Sequence, residues 1–362
     1  MPVRCARLVN VRSRSSLEVD FGPGLTILVG PNGAGKTTVL EALVLVLQGD
    51  LLKAGNFREL INRGEGYLRA EIELELSGAR TIAAAAYSRD GERRLTADGA
   101  ALDDVSRWRE ALRVRTFVPD DLRLIKGSPR RRREYLDGLV LRQEPEYRTT
   151  MGRYEEALAQ RNTLLRLNRM GGNDAQFAPW ETMLAQTGLA VTAARTAALA
   201  GFVGAFQQTH ADLTGELPGG LHLVYRTNTA GLDESGYRDR LAESRDADRQ
   251  RTFTHLGPHR DDLRLMRTGL DMRECASQGE QRAAVLSLVL AEWENTCRER
   301  RDPSAGGLLL LDDVMSELDE SRRRALVHII SRGGQVVVTT TDLRYFTDAE
   351  LQQATVVDLG EG

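Results

Sequence analysis

Gly30-Pro31-Asn32-Gly33-Ala34-Gly35-Lys36-Thr37 spells a complete G-x-x-x-x-G-K-T phosphate loop, with Thr38 directly behind it. An apolar strand-like run, Leu25-Thr26-Ile27-Leu28-Val29, leads in, and a helix-like run, Val39 to Leu47, leads out. A strand before and a helix after separate such a loop from a glycine-rich turn that merely caps a helix. The glycines let backbone N–H groups turn inward around phosphate oxygens, and the helix N-terminus adds its positive dipole. Gly30, Pro31, Asn32, Gly33, Ala34, Gly35, Lys36, Thr37 and Thr38 are therefore the expected nucleotide-binding residues. Lys36 would reach the β- and γ-phosphates, and the Thr37 hydroxyl would bind Mg²⁺. Composition sharpens the reading. Of 49 basic residues only Lys36, Lys53 and Lys126 are lysines. A lysine nevertheless stands where a compact ammonium is needed and a planar guanidinium would fit badly.

A chain of 362 residues can bury a large core and predicts two domains. Hydrophobic content of 41% and charged content of 28% are ordinary for a globular protein. The opening Met1-Pro2-Val3-Arg4-Cys5 lacks the apolar run of a signal peptide, and the longest apolar candidate, Leu189 to Phe206, is interrupted by Arg195. No membrane span or membrane partner is expected. Cys5, Cys275 and Cys297 are far apart and lack zinc spacing, which fits a reduced, cytoplasmic setting. At a net charge of −3, any nucleic-acid surface must be local.

Residues 1 to about 120 read as strands around one phosphate-loop helix. Leu68, Ala70, Ile72, Leu74 and Leu76 alternate with Glu71, Glu73 and Glu75, the pattern of an antiparallel strand with one wet face. From about 123 to 210 helical patterns take over. Ser128-Pro129 reads as an N-cap with proline at the first helical position, a second helix spans about 145–170 up to Gly171-Gly172, and a third spans about 177–213. The run Arg130-Arg131-Arg132-Arg133 is either a solvated helix face or a phosphate-contacting patch. From about 215 strands return and alternate with helices, several of them fully apolar, which predicts a parallel sheet covered on both faces.

Leu308-Leu309-Leu310-Leu311 is such a strand, and Asp312-Asp313 emerge at its C-terminal end, where open α/β sheets bind ligands. Asp312 would hold Mg²⁺ and Asp313 would act as general base on the attacking water. A strand-ending Asp pair can also cap a loop. Ser277-Gln278-Gly279-Glu280-Gln281-Arg282 opens a long helix and has two compatible readings. Ser277 and Glu280 form an S-x-x-E capping box. Alternatively Ser277 and the amides near Gly279 form an ABC-type signature that clamps a γ-phosphate in trans, on a nucleotide held by a partner subunit.

These residues carry a family resemblance over almost the whole chain. Gly30–Thr38, Phe117-Val118-Pro119-Asp120-Asp121-Leu122, Lys126-Gly127-Ser128-Pro129 with Arg131-Arg132-Arg133, Gly257-Pro258-His259-Arg260-Asp261-Asp262-Leu263, Ser277–Gln281 and Asp312–Asp319 together resemble the RecF family. That family is related to the ATPase heads of Rad50 and SMC proteins. The resemblance implies an α/β fold, an ABC-type P-loop ATPase domain over residues 1–122 and 211–362, with an inserted helical lobe at 123–210. Fewer than ~100 helical residues leave no room for a long coiled coil. It implies ATP and Mg²⁺ as cofactors and an ATP-dependent homodimer. It also implies binding to double-stranded DNA at gaps and junctions, and cooperation with RecO and RecR in loading recombinase. Lys36, Asp312, Asp313 and Ser277 are the catalytic candidates, Thr37 and Asp312 the metal ligands, and Arg131 and Arg132 the DNA-binding candidates. Asp313 stands in place of the usual glutamate, and Thr339-Thr340-Thr341 stand where a switch histidine would be. The shorter Asp313 fits a slow ATPase acting as a switch, the resemblance implies that it is weak and DNA-stimulated, and the threonines are candidate γ-phosphate sensors. Alternative readings are a Rad50-like head working with a nuclease, the nucleotide-binding subunit of a transporter, and a structural protein that binds ATP without turnover. His259 is either a satisfied turn histidine or a site residue.

Overall fold

The computed structural model describes residues 2–53, 55–76, 78–102, 104–168, 173–298 and 307–360. Along the chain these form β1 (Val3–Val11), β2 (Arg14–Asp20), β3 (Leu25–Val29), α1 (Lys36–Gln48), β4 (Tyr67–Leu76), β5 (Ala79–Ser88), β6 (Arg93–Ala97), β7 (Ala100–Ala101), α2 (Val105–Leu112) and β8 (Val114–Phe117). Then follow α3 (Arg123–Lys126), α4 (Pro129–Gln143), α5 (Tyr147–Leu167), α6 (Ala178–Thr214), β9 (Leu221–Arg226), α7 (Glu234–Glu243), α8 (Arg245–Arg251), β10 (Asp262–Arg267), β11 (Leu270–Asp271) and α9 (Met272–Cys275). The chain closes with α10 (Gln278–Arg298), β12 (Leu308–Leu311), α11 (Glu320–Ile330), β13 (Gln335–Thr340), α12 (Asp348–Gln353) and β14 (Thr355–Asp358). The expected helix stop at Gly171-Gly172 lies outside the described residues.

Two compact units result. The first comprises 1–121, 208–217 and 278–362, and the second 122–207 and 218–277. In the first, a parallel sheet of order β14-β3-β13-β12-β8 and an antiparallel sheet of order β2-β1-β4-β5-β6-β7 enclose α1. That enclosure explains the composition of α1. It packs on β1, β4 and β5 of one sheet and on β8 and β13 of the other. It is buried from Thr38 through Leu47, so apart from Glu41, which pairs with Arg12, it is apolar on every face rather than striped. Leu68, Ala70, Ile72 and Leu74 of β4 bury against it, while Arg80 pairs with Glu73 on the wet face. The four leucines of β12 are all fully buried between β13 and β8, as a central parallel strand requires.

The second unit departs from the expected division in one respect. Residues 218–277, expected beside the parallel sheet, pack with the helical segment, and β11-β10-β9 form their own antiparallel sheet. The physical reason is visible in β9 and β10. Each buries only part of its residues, so neither can serve as a two-sided central strand like β12.

One helical stretch, 174–214, reaches a mean hydropathy of 1.5 and is long and apolar enough to cross a membrane by length and composition. Its charged residues, however, are bound by the rest of its own unit. Arg195 forks onto Asp137 at 2.7 and 2.9 Å and donates to the Pro258 carbonyl at 2.8 Å. Glu181 accepts from Arg161 at 3.2 Å, and Arg161 also donates to Asp248 at 2.7 Å. Buried charges satisfied in this way tie the helix to its own unit, although only 33% of its most apolar window is buried.

His259 is a satisfied turn histidine. Its Nε2 donates to the Thr254 carbonyl at 2.9 Å, so Nδ1 accepts the Tyr154 hydroxyl at 2.5 Å. Burial pushes the imidazole down to about 4. The unfolded chain takes up this proton near pH ~6.5, so the unfolded state binds more protons across the window between, and stability falls as pH drops through it. Urea melts should assign to His259 a loss approaching about 3 kcal/mol by the low end of that window. His259→Asn should flatten this part of the pH dependence. Parallel losses in both proteins would refute the assignment.

Candidate nucleotide site

The phosphate loop leaves β3 at the C-terminal edge of the parallel sheet and runs straight into α1. Gly33 and Gly35 sit at φ 87° and 89°, the left-handed region that glycine adopts without strain. No side chain caps α1 and no acidic residue occupies its first turn, so its amides and dipole are left for an anion. Arg14 donates to the Ala34 carbonyl and, at 3.1 Å, to the Leu359 carbonyl, stapling the loop to the chain after β14.

The loop and the end of β12 meet. Thr37 Oγ1 donates to Asp312 Oδ1 at 2.9 Å across 275 positions of sequence. Register explains the meeting, because β3 and β12 flank β13 in the same parallel sheet and end at the same edge. Thr339, the penultimate residue of β13, donates to Asp312 Oδ1 at 3.0 Å and accepts from the Asp313 amide at 2.8 Å. Its hydroxyl thus fixes both aspartates instead of waiting for a γ-phosphate. Thr340 serves the following turn, and Thr341 is exposed. Lys36 is buried, and Nζ donates to the carbonyls of Gly30 and Pro31 at 2.6 and 2.9 Å. Burial lowers its pKa, and the charges of Asp313 and Asp312 oppose that shift.

Asp313 has two unusual properties. It holds φ 50°, a left-handed conformation rare for a residue with a side chain. Its Oδ1 is buried without a hydrogen-bond partner. Burial raises its pKa, and the adjacent Asp312 carboxylate pushes in the same direction. A carboxylate with a raised pKa and one oxygen unpartnered, held in a left-handed turn, suits a general base. A cavity of about 480 Å³ joins these groups, lined by Asn32, Gly33, Gly35, Lys36, Thr37, Thr38, Asp312, Asp313 and Thr339 among others.

Five lining residues, Arg12, Ser13, Glu41, Lys53 and Pro119, were not anticipated as site residues. Lys53 lies with Nζ 3.0 Å from Asp312 Oδ2. Arg12 forks onto Glu41 at 2.6 and 3.0 Å. Pro119 brings the Phe117–Leu122 segment to the cavity.

Among the described residues no group of three or more His, Cys, Asp or Glu could hold a metal. Mg²⁺ does not need one, since it keeps several waters and takes one or two protein oxygens plus substrate phosphates. The Thr37 hydroxyl beside the Asp312 carboxylate fits that demand.

Ser277 is exposed at the foot of α10, and Gly279 is half-buried. A Cβ on Gly279 would sit 3.6 Å from an Arg322 guanidinium nitrogen, and Arg282 pairs with Glu317. The arginine pair expected to face DNA separates. Arg131 is half-exposed. Arg132 is 1% exposed, forked onto Asp262 at 2.6 and 3.2 Å, and its third nitrogen donates to the Gly127 carbonyl at 2.8 Å. Arg132 is corrected here from a DNA contact to a structural residue. One face of α4 must bury, and Arg132 lies on it with Leu136, Leu139 and Val140.

A P-loop fold with Thr37 on Asp312 and a second aspartate at the cavity defines an ABC-type ATPase head. Residues 5–359 match the family model described as RecF/RecN/SMC N terminal domain. The chain is 34% identical to the "DNA replication and repair protein RecF" of Heliobacterium modesticaldum, over all of this chain and 98% of that protein. It is 33% identical to the protein of that name from Moorella thermoacetica, over 98% and 94%. Among solved structures it is similar to "the recombination mediator protein RecF-ATPrS in RecFOR pathway", at TM-score 0.80 and 26% identity over 96% and 94% of the two chains. The Pyrococcus furiosus Smc head, at TM-score 0.58 and 15% identity, shares the fold. The chain belongs to the RecF family.

Proposed function

We propose that the chain is an ATP-binding protein of DNA replication and recombinational repair, acting in the cytoplasm. It takes Mg·ATP at the phosphate loop, dimerises on double-stranded DNA at gaps or junctions, and hydrolyses ATP slowly as a release switch. With RecO and RecR it would help load recombinase. The observation that carries the reading is the Thr37–Asp312 hydrogen bond, which closes one nucleotide site from the two ends of the chain. In that site Lys36 gives up the Gly30 and Pro31 carbonyls for the β/γ-phosphates. Thr37 and Asp312 hold Mg²⁺, which when bound neutralises phosphate charge. Asp313 accepts the proton of the attacking water. A solved relative described as "RecF-ATP", 25% identical over 94% of this chain, supports the nucleotide.

Lys36→Ala should abolish nucleotide-driven dimerisation, because the cavity's other ammonium, Lys53, is held on Asp312 rather than beside the phosphate loop. Sedimentation with and without ATP tests this, and a mutant that still shifts to dimer would overturn it.

For DNA, the helical unit would offer the exposed Lys126 and Arg130 together with Arg131. Lys126→Glu with Arg130→Glu should weaken DNA binding, with each lost phosphate contact reducing the log–log salt slope by about 0.9. ATP affinity should stay unchanged. Arg132→Ala should instead strip half-buried Asp262 of its forked partner, leaving only Arg264 at 3.5 Å, and lower stability in urea melts. Salt-insensitive binding, unaltered by the first pair, would remove this face from the DNA surface.

A further inference from the structure

Lys53 belongs to no motif, yet it is the cation paired with Asp312 among the described residues. Its Nζ lies 3.0 Å from Oδ2, while Oδ1 receives Thr37 and Thr339. The Asp312 side chain is only 4% exposed, and a carboxylate that deeply placed needs a positive partner. Lys36 does not supply one through a contact, since its donors go to the loop carbonyls. Both oxygens of the expected metal ligand are therefore occupied before nucleotide arrives.

The residue type is informative. In a chain where all but three of the 49 basic residues are arginine, a lysine stands here. An arginine fork would clamp both oxygens of a carboxylate, whereas an ammonium on a flexible four-carbon stem makes a point contact that breaks easily. The Lys53 side chain is 39% exposed at the cavity wall, so it has open space to withdraw into.

We propose that Lys53 is a place-holding counter-ion for the metal. It neutralises Asp312 in the nucleotide-free protein and must withdraw when Mg²⁺ arrives with ATP, so it sets the Mg²⁺ concentration at which nucleotide is captured. The inference rests on the assignment of Asp312 as metal ligand.

The test is binding of a fluorescent ATP analogue, titrated with Mg²⁺, to the full chain. Wild type, Lys53→Met, Lys53→Arg and the double variant Lys53→Met/Asp312→Asn are compared. Losing the competitor should lower the half-saturating Mg²⁺ of Lys53→Met by roughly two- to tenfold, as expected for a partly exposed ion pair. Nucleotide binding in EDTA should stay unchanged. Lys53→Arg should raise the Mg²⁺ requirement. Without nucleotide, Lys53→Met should melt below wild type, and Mg·nucleotide should narrow that gap. On the Asp312→Asn background the Lys53→Met effect on Mg²⁺ should vanish. An unchanged or higher Mg²⁺ requirement in Lys53→Met overturns the proposal, as does weaker binding in both Mg²⁺ and EDTA, which would make Lys53 a phosphate ligand. If wild type itself binds nucleotide with no dependence on Mg²⁺, the Asp312 assignment falls and the proposal falls with it.

Discussion

Asp313→Asn is expected to slow phosphate release by roughly 10²- to 10⁴-fold, the usual contribution of a positioned general base. ATP binding should survive, and the ATP-bound dimer should accumulate in sedimentation. Asparagine suits this test for two reasons. It matches aspartate in size, and it tolerates the left-handed conformation that Asp313 holds at φ 50°. The backbone donation from the Asp313 amide to Thr339 is therefore retained. What disappears is a carboxylate whose Oδ1 is buried and unpartnered. The pH profile gives an independent check. Burial raises the Asp313 pKa, so the base is protonated and lost as pH falls, at a pH above that of an ordinary carboxylate. The acid limb of the rate should carry this raised value and be absent from the residual rate of the mutant. Asp312→Asn should behave differently and weaken Mg²⁺-dependent binding itself. Equal phosphate release by Asp313→Asn and wild type would rule out the base assignment.

Much of this site was legible because its parts are local in sequence. The phosphate loop is contiguous, and Leu308–Asp313 announces a buried strand ending in carboxylates. Strand and helix chemistry then bring them to one sheet edge by a general rule. Lys53 was hidden for the opposite reason. Only the fold carries it back to Asp312, and its one sequence signal was the scarcity of lysine. Arg132 misled because a run of four arginines gives no helical phase by itself. Arg130 faces water, Arg131 and Arg133 are half-buried, and Arg132 is buried against Asp262. The stretch 218–277 misled because strand periodicity does not specify which sheet a strand joins. Incomplete burial of β9 and β10 was the signal against the parallel sheet, and it is a property of packing.

Ser277→Arg should leave ATP binding intact while blocking dimerisation and turnover. Ser277 is exposed at the N-terminal end of α10, and the nucleotide groups Lys36, Thr37, Asp312 and Asp313 already form one cavity without it. In the composite-site reading, Ser277 and the amides near Gly279 meet the γ-phosphate of a partner's ATP, and a bulky guanidinium there obstructs docking. Hydrolysis would then need two chains. Specific activity should rise with protein concentration until the dimer saturates. Mixing Ser277→Arg with Lys36→Ala separates this reading from a simple loss of fold. In a mixed dimer, one site joins the intact phosphate loop of the Ser277→Arg chain to the intact Ser277 of the Lys36→Ala chain. The other site is broken on both sides. Random pairing gives mixed dimers about half the assemblies, each with one working site, so phosphate release near a quarter of wild type is the ceiling if the two sites act independently and all chains pair equally. Release well above that of either mutant alone supports the clamp. Activity independent of concentration, with no recovery on mixing, would return Ser277 and Glu280 to the capping of their own helix.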